Sequence, residues 1–91
     1  MYSLKWTDTF VRSARKFWRR HPELRPEFEI VVTQLEADPA HPRLRLHPLK
    51  GQHEEKHAVR LTYSYRIILI LMLTEKEITL LDIGSRDEVY R

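Results

Sequence analysis

Seven consecutive apolar residues, Ile67 to Leu73, form the longest hydrophobic run in the chain. A membrane-spanning helix needs about 20 such residues, so this run reads as a central β-strand covered on both faces. Its neighbours are read as strands too. Lys56 to Tyr63 alternates, with His57, Val59, Leu61 and Tyr63 on one face and Ala58, Arg60 and Thr62 on the other. Ile78 to Ile83 follows a polar Glu75-Lys76 turn. The three segments predict an antiparallel meander, and a doubly covered central strand requires other elements to cover it.

The N-terminal half supplies them. Phe10, Ala14, Phe17 and Trp18 fall at i, i+4, i+7 and i+8, the stripe of an amphipathic helix capped by Thr7 or Asp8 and running to about Arg20. His21-Pro22 ends it, because the residue before proline is pushed out of helical geometry. Pro26 suits the first turn of a second helix. Phe28, Val31, Val32 and Leu35 give that helix its stripe, and Asp38-Pro39 closes it. Ser3 to Trp6 is a short strand candidate. The segment from Ala40 to Pro48 is irregular and proline-punctuated. Ser85 and Glu88 have the spacing of a capping box, which predicts a last helical turn. The resulting order, β-α-α-β-β-β-(α), describes an α+β fold with a helical hairpin packed on a twisted, mainly antiparallel sheet. The length predicts one domain over residues 1–91.

Lys and Arg total 16 against 13 acids, a net charge of +3. The balance suggests an anionic partner. The distribution is more telling than the sum, because Arg12, Arg15, Lys16, Arg19 and Arg20 form a run without an acid. A solvated helix face explains such a run, and so does contact with an RNA or ribosome backbone. Arg12, Arg15, Arg19 and Arg20, with Arg45 and Lys56, are the candidates for that contact. The chain has no cysteine, hence no disulfide framework and no thiolate metal site. A soluble, cytoplasmic protein without membrane association is expected.

Chemistry has few places to reside. His47, His53 and His57 do not have zinc-motif spacing, and no cofactor or metal is expected. His47, just before Pro48 and Lys50, is best placed to act as a base near neutral pH. Arg60 reads either as a solvated strand residue or as a phosphate clamp, since the guanidinium fork matches two phosphate oxygens. Arg66 reads as a structural partner for Asp82. Gly51 and Gly84, the only glycines, sit close to Lys50 and Arg86. Arg86 and Tyr90 lie four residues apart, so a helical turn would carry both on one side.

Together, His47-Pro48-Leu49-Lys50-Gly51, Arg60, Tyr65-Arg66-Ile67-Ile68, Ile83-Gly84-Ser85-Arg86 and Glu88-Val89-Tyr90 resemble the RelE/ParE superfamily of bacterial toxins over nearly the whole chain. The resemblance implies the toxin of a type II toxin-antitoxin system, with a cognate antitoxin as partner. Its RelE branch further implies a metal-independent endoribonuclease that cuts mRNA on the 70S ribosome. By that likeness Arg60 resembles the arginine holding the scissile phosphate. Arg86 resembles the one stabilising the transition state and leaving group, and Tyr90 the C-terminal tyrosine that stacks on or activates the nucleotide. Lys50 resembles a basic residue that stabilises phosphate charge, and His47 the histidine of the YafQ branch. YafQ-like members carry histidines where this chain has Arg60 and Arg86, and an aspartate near Ser64. The same scaffold also serves ParE-like inhibitors of DNA gyrase that cut nothing, and a degenerate member would only bind its antitoxin.

Overall fold

The computed structural model describes residues 1–49 and 56–89. Strand β1 (Ser3–Trp6) leads into helix α1 (Asp8–Arg20), a 3-10 turn (Pro22–Leu24), helix α2 (Arg25–Ala37) and a second 3-10 turn (Pro42–Leu44). Then come strands β2 (His47–Pro48), β3 (Lys56–Arg60), β4 (Tyr65–Met72) and β5 (Glu77–Ser85), and a final turn of helix, α3 (Arg86–Val89). The strands form one mixed sheet in the order β1-β5-β4-β3-β2. The expected meander of β3, β4 and β5 is its antiparallel centre. Two additions complete it: β1 pairs in parallel with β5, and His47-Pro48 pairs antiparallel with β3.

Thr7 caps α1. Its Oγ1 accepts the Phe10 amide hydrogen at 3.0 Å and donates to the Leu80 carbonyl at 2.9 Å, so one hydroxyl starts the helix and ties it to β5. The helix ends where the His21 amide donates to the Phe17 carbonyl, directly before Pro22. Phe10, Ala14 and Phe17 from α1 and Phe28, Val31 and Leu35 from α2 are buried against Val59, Leu61, Ile67, Leu69, Ile78, Leu80 and Ile83 of the strands and turn. Trp18 packs edge-on against both Phe17 and Phe28. Phe17 is thus a core residue, as expected from the stripe, and Trp18 packs half-buried against that core.

Alternation along β5 breaks once. Ile68 pairs with Asp82 and Leu69 with Leu80, which leaves Leu81 as an extra residue. This bulge flips the inside-outside pattern. Ile78 and Leu80 before it and Ile83 after it all join the helix-side core, a combination that strict alternation forbids.

Two local expectations are corrected. Strand β3 stops at Arg60, so Tyr63 leaves the alternating pattern and is 82% exposed in the β3–β4 turn rather than sharing the face of Val59 and Leu61. Arg66 does not pair with Asp82. Its Nη1 donates to the carbonyls of Thr62, Tyr63 and Tyr65 at 3.0, 3.1 and 3.3 Å. The Asp82 carboxylate accepts the Ile83 amide hydrogen at 2.9 Å.

Candidate site on the sheet face away from the helices

The helices cover one face of the sheet, and the strand register sorts side chains between the two. Val59, Leu61, Ile67 and Leu69 belong to the helix-side core. Lys56, Ala58 and Arg60 on β3, and Arg66 and Ile68 on β4, therefore project from the other face. His47 stands opposite Ala58, which puts it on that face as well. One row across the sheet reads His47, Ala58, Ile68, and the next reads Arg60, Arg66, Gly84. His47 and Arg60 are diagonal neighbours in this lattice, a relationship that separates such residues by about 7–8 Å.

The His47 ring is fixed by its own loop. Nδ1 lies 2.9 Å from the Arg45 carbonyl oxygen. A carbonyl can only accept, so Nδ1 carries a hydrogen and donates it in this contact. Arg45, which supplies that carbonyl, is held at φ 51° and ψ 44°, a left-handed conformation that residues with a Cβ rarely adopt.

Gly84 lets α3 approach the same face. A Cβ on Gly84 would point to the side occupied by Arg66, and it would meet Glu88 Oε1 at 3.2 Å and Val89 Cγ1 at 3.4 Å. The final helix thus folds back over the face turned away from α1 and α2, where Ala58 and Ile68 are buried, and Arg86 is its first residue. The capping box forms as predicted. Ser85 N donates to Glu88 Oε1 at 2.9 Å, and Glu88 N donates to Ser85 Oγ at 3.3 Å. The second Glu88 oxygen lies 3.6 Å from Arg20 Nη1, linking α3 to the end of α1.

The fold therefore joins His47, Lys56 and Arg60 on one face and brings α3, with Arg86, back across it. Lys50 and Tyr90 lie outside the described residues, as do Gly51 and His53. Arg12, Arg15 and Arg19 are exposed on α1, in the layer on the other side of the sheet. They are not part of the His47–Arg60 face. Arg45 is exposed beside it, in a cleft also lined by Arg43, Arg60 and Tyr63. Among the described residues, no three or more His, Cys, Asp or Glu side chains are grouped to hold a metal ion. No helix among them is long and apolar enough to cross a membrane.

No protein-family model and no curated protein matches the chain. Solved structures do. The toxin in the Escherichia coli DinJ-YafQ toxin-antitoxin complex superposes with a TM-score of 0.82 at 14% identity, covering 99% of this chain and 98% of that one. A metal-bound toxin from Helicobacter pylori gives 0.82 at 21% identity, over 98% and 99% of the two chains. The YoeB/ParE toxin from Agrobacterium tumefaciens gives 0.74 at 16% identity, over 92% and 98%.

The fold is that of the RelE/YafQ-like toxins.

On this toxin fold, three residues matter that the sequence did not single out for the site. Tyr63 was hidden by a strand pattern that ends three residues earlier than its alternation suggests. Arg66 organises a turn through backbone carbonyls, a role that leaves no side-chain partner to find in sequence. Glu88 was visible as a capping residue, but its bridge to Arg20 spans 68 positions and depends on the tertiary arrangement.

Proposed function

We propose that this protein is the toxin of a toxin-antitoxin system and acts as a ribosome-dependent endoribonuclease. The observation that carries the reading is the pairing of His47 with Arg60. His47, its Nδ1–H committed to the Arg45 carbonyl, stands diagonally beside the Arg60 guanidinium on the sheet face turned away from α1 and α2. The proposed role of its Nε2 is that of proton acceptor. A surface that only binds another protein does not require a proton acceptor next to an anion clamp. Phosphoryl transfer makes use of both.

In the proposed reaction the RNA 2′-hydroxyl attacks its own 3′-phosphorus. The O5′–P bond breaks, leaving a 2′,3′-cyclic phosphate and a 5′-oxyanion that takes a proton from Tyr90 or water to become the 5′-hydroxyl. His47 Nε2 takes the 2′-hydroxyl proton, an effect that typically contributes about 10²- to 10⁴-fold. Arg60 holds the phosphate oxygens, and Arg86 and Lys50 add positive charge as the dianion develops. Each such preorganised donor contributes about 10²- to 10³-fold. Tyr90 stacks on the nucleotide or shares in proton transfer. A ribosome would hold the mRNA in line for attack, which single-stranded RNA in solution seldom achieves by itself. Arg12, Arg15, Arg19 and Arg20, on the helical layer, then serve the ribosome or the antitoxin rather than the scissile bond, and Lys56 extends the cationic face towards the RNA.

The cognate antitoxin is proposed to cover this basic surface with an acidic or amphipathic segment. The rival reading is gyrase inhibition without cleavage. Inducing the protein in bacteria and mapping 5′ ends of translated mRNA separates the two. Codon-phased cuts that vanish with Arg86→Ala are expected. A DNA-damage response without cuts would instead establish gyrase as the target.

A further inference from the structure

The β3–β4 turn displays an aromatic ring that the core does not use. Tyr63 is 82% exposed, yet the turn beneath it is firmly built. Leu61 N and Thr62 N both donate to the Tyr65 carbonyl, at 3.0 and 3.2 Å, and Tyr65 N returns a bond to the Thr62 carbonyl at 3.3 Å. Arg66 Nη1 gathers three carbonyls of the same turn. Arg60 Cζ lies 5.7 Å from the Tyr63 ring centroid, a cation–π contact that supports the ring from one side.

This platform stands at a cleft of about 620 Å³ whose lining includes Arg43, Arg45, Arg60, Thr62 and Tyr63. The cleft also has an acid, Glu27, but Arg43 already neutralises it at 3.2 Å. Among the described residues Arg45 and Arg60 have no acidic partner, so the cleft is net cationic. It meets the His47–Arg60 face at Arg60, which belongs to both. An exposed aromatic ring on a hydrogen-bonded turn beside unneutralised guanidinium groups is the combination that binds single-stranded nucleic acid, with bases stacking and phosphates paired.

We propose that this cleft is a subsite for the mRNA nucleotide flanking the scissile phosphate, its base stacked on Tyr63 and its phosphate held by Arg45. The proposal rests on the nuclease reading above and adds to it a determinant of which nucleotide is accepted. The test is mRNA cleavage on programmed ribosomes by the intact protein, with nucleotide preference read at each position around the cut. Tyr63→Ala should lower cleavage on the order of ten- to hundred-fold and flatten the preference at one flanking position, while Tyr63→Phe stays within about twofold of the parent. Arg45→Ala should weaken cleavage without altering base preference, because a phosphate contact carries no base information.

Thermal melting of each variant should match the parent, since neither side chain is part of the core. Cleavage by Tyr63→Ala at the parent's rate and pattern would overturn the subsite while leaving the nuclease assignment standing. Equal loss in Tyr63→Ala and Tyr63→Phe would also overturn it, by pointing to the hydroxyl instead of the ring. An inactive parent protein would overturn both readings.

Discussion

Arg60 and Arg66 stand directly opposite each other on adjacent antiparallel strands, two like charges on one face of the sheet. Such a pair is destabilising unless each charge is separately accommodated. Arg66 is accommodated by the three turn carbonyls, and Arg60 rests against the Tyr63 ring. A phosphate on this face would relieve the remaining repulsion. The two arginines should consequently respond in opposite ways to truncation. Arg60→Ala is expected to remove about 10²- to 10³-fold of mRNA cleavage while leaving thermal stability level or slightly raised. Arg66→Ala should cost about 1 kcal/mol, because the turn loses a charged donor to three carbonyls, although those of Thr62 and Tyr65 keep their backbone partners. Melting curves and cleavage rates on the same two variants check both halves.

His47 is exposed and bonded through Nδ1 to a loop carbonyl. Replacing it by Ala should leave the melting temperature nearly unchanged and lower cleavage by about 10²- to 10⁴-fold. Cleavage by His47→Ala at the parent's rate would show that another group accepts the proton.

Glu88 does two jobs with its two oxygens, capping α3 through Ser85 N and bridging to Arg20. The bridge is largely exposed, at 70% and 48% for the two side chains, so by itself it contributes less than about 1 kcal/mol and fades with salt. The cap contributes about 1 kcal/mol. Glu88→Gln, which keeps an acceptor for the cap but loses the charge, should thus be milder than Glu88→Ala in both stability and activity. A double-mutant cycle between Arg20 and Glu88 measures the bridge directly.

Gly84 is where α3 comes closest to the sheet. An alanine there would meet Glu88 at 3.2 Å, so the helix must shift outward by a few tenths of an ångström. The expected result is a folded protein with weakened cleavage, because Arg86 moves with α3. Heteronuclear NMR shifts confined to residues near Ser85–Val89, together with the cleavage rate, would test this.

Thr7 joins α1 to β5 through one hydroxyl. Thr7→Ala should destabilise the fold by about 1–2 kcal/mol, and Thr7→Ser should recover most of that loss. Denaturant unfolding at equilibrium reads the difference.

Much of this architecture was legible because it rests on local chemistry. The stripes of Phe10, Ala14 and Phe17 and of Phe28, Val31 and Leu35 specify the two helices, and Thr7 and Pro22 bound the first. The continuous apolar run marks the central strand, but not its expected cover on both faces: α1 and α2 lie on one face, and Met72 and Leu73 at the end of the run are exposed. Ser85 and Glu88 specify their own capping box, since both partners lie within one turn. His47 and Arg60 were recognisable as residues of the right chemistry for a site, though not as neighbours.

Other features depended on the tertiary structure, because each is decided by contacts between distant segments. The parallel addition of Ser3–Trp6 beside Glu77–Ser85 leaves no trace in either strand's pattern. The bulge at Leu81 puts Ile83 in the core beside Ile78 and Leu80, a placement no alternating pattern in the sequence announces. Arg66 meets carbonyls instead of Asp82 because the β3–β4 turn closes beside it. Residue type and spacing determined the helices, the central strands and the terminal cap. Strand register alone decided that His47, Arg60 and the helix begun by Arg86 share one face, because pairing turns separations along the chain into separations of a few ångströms.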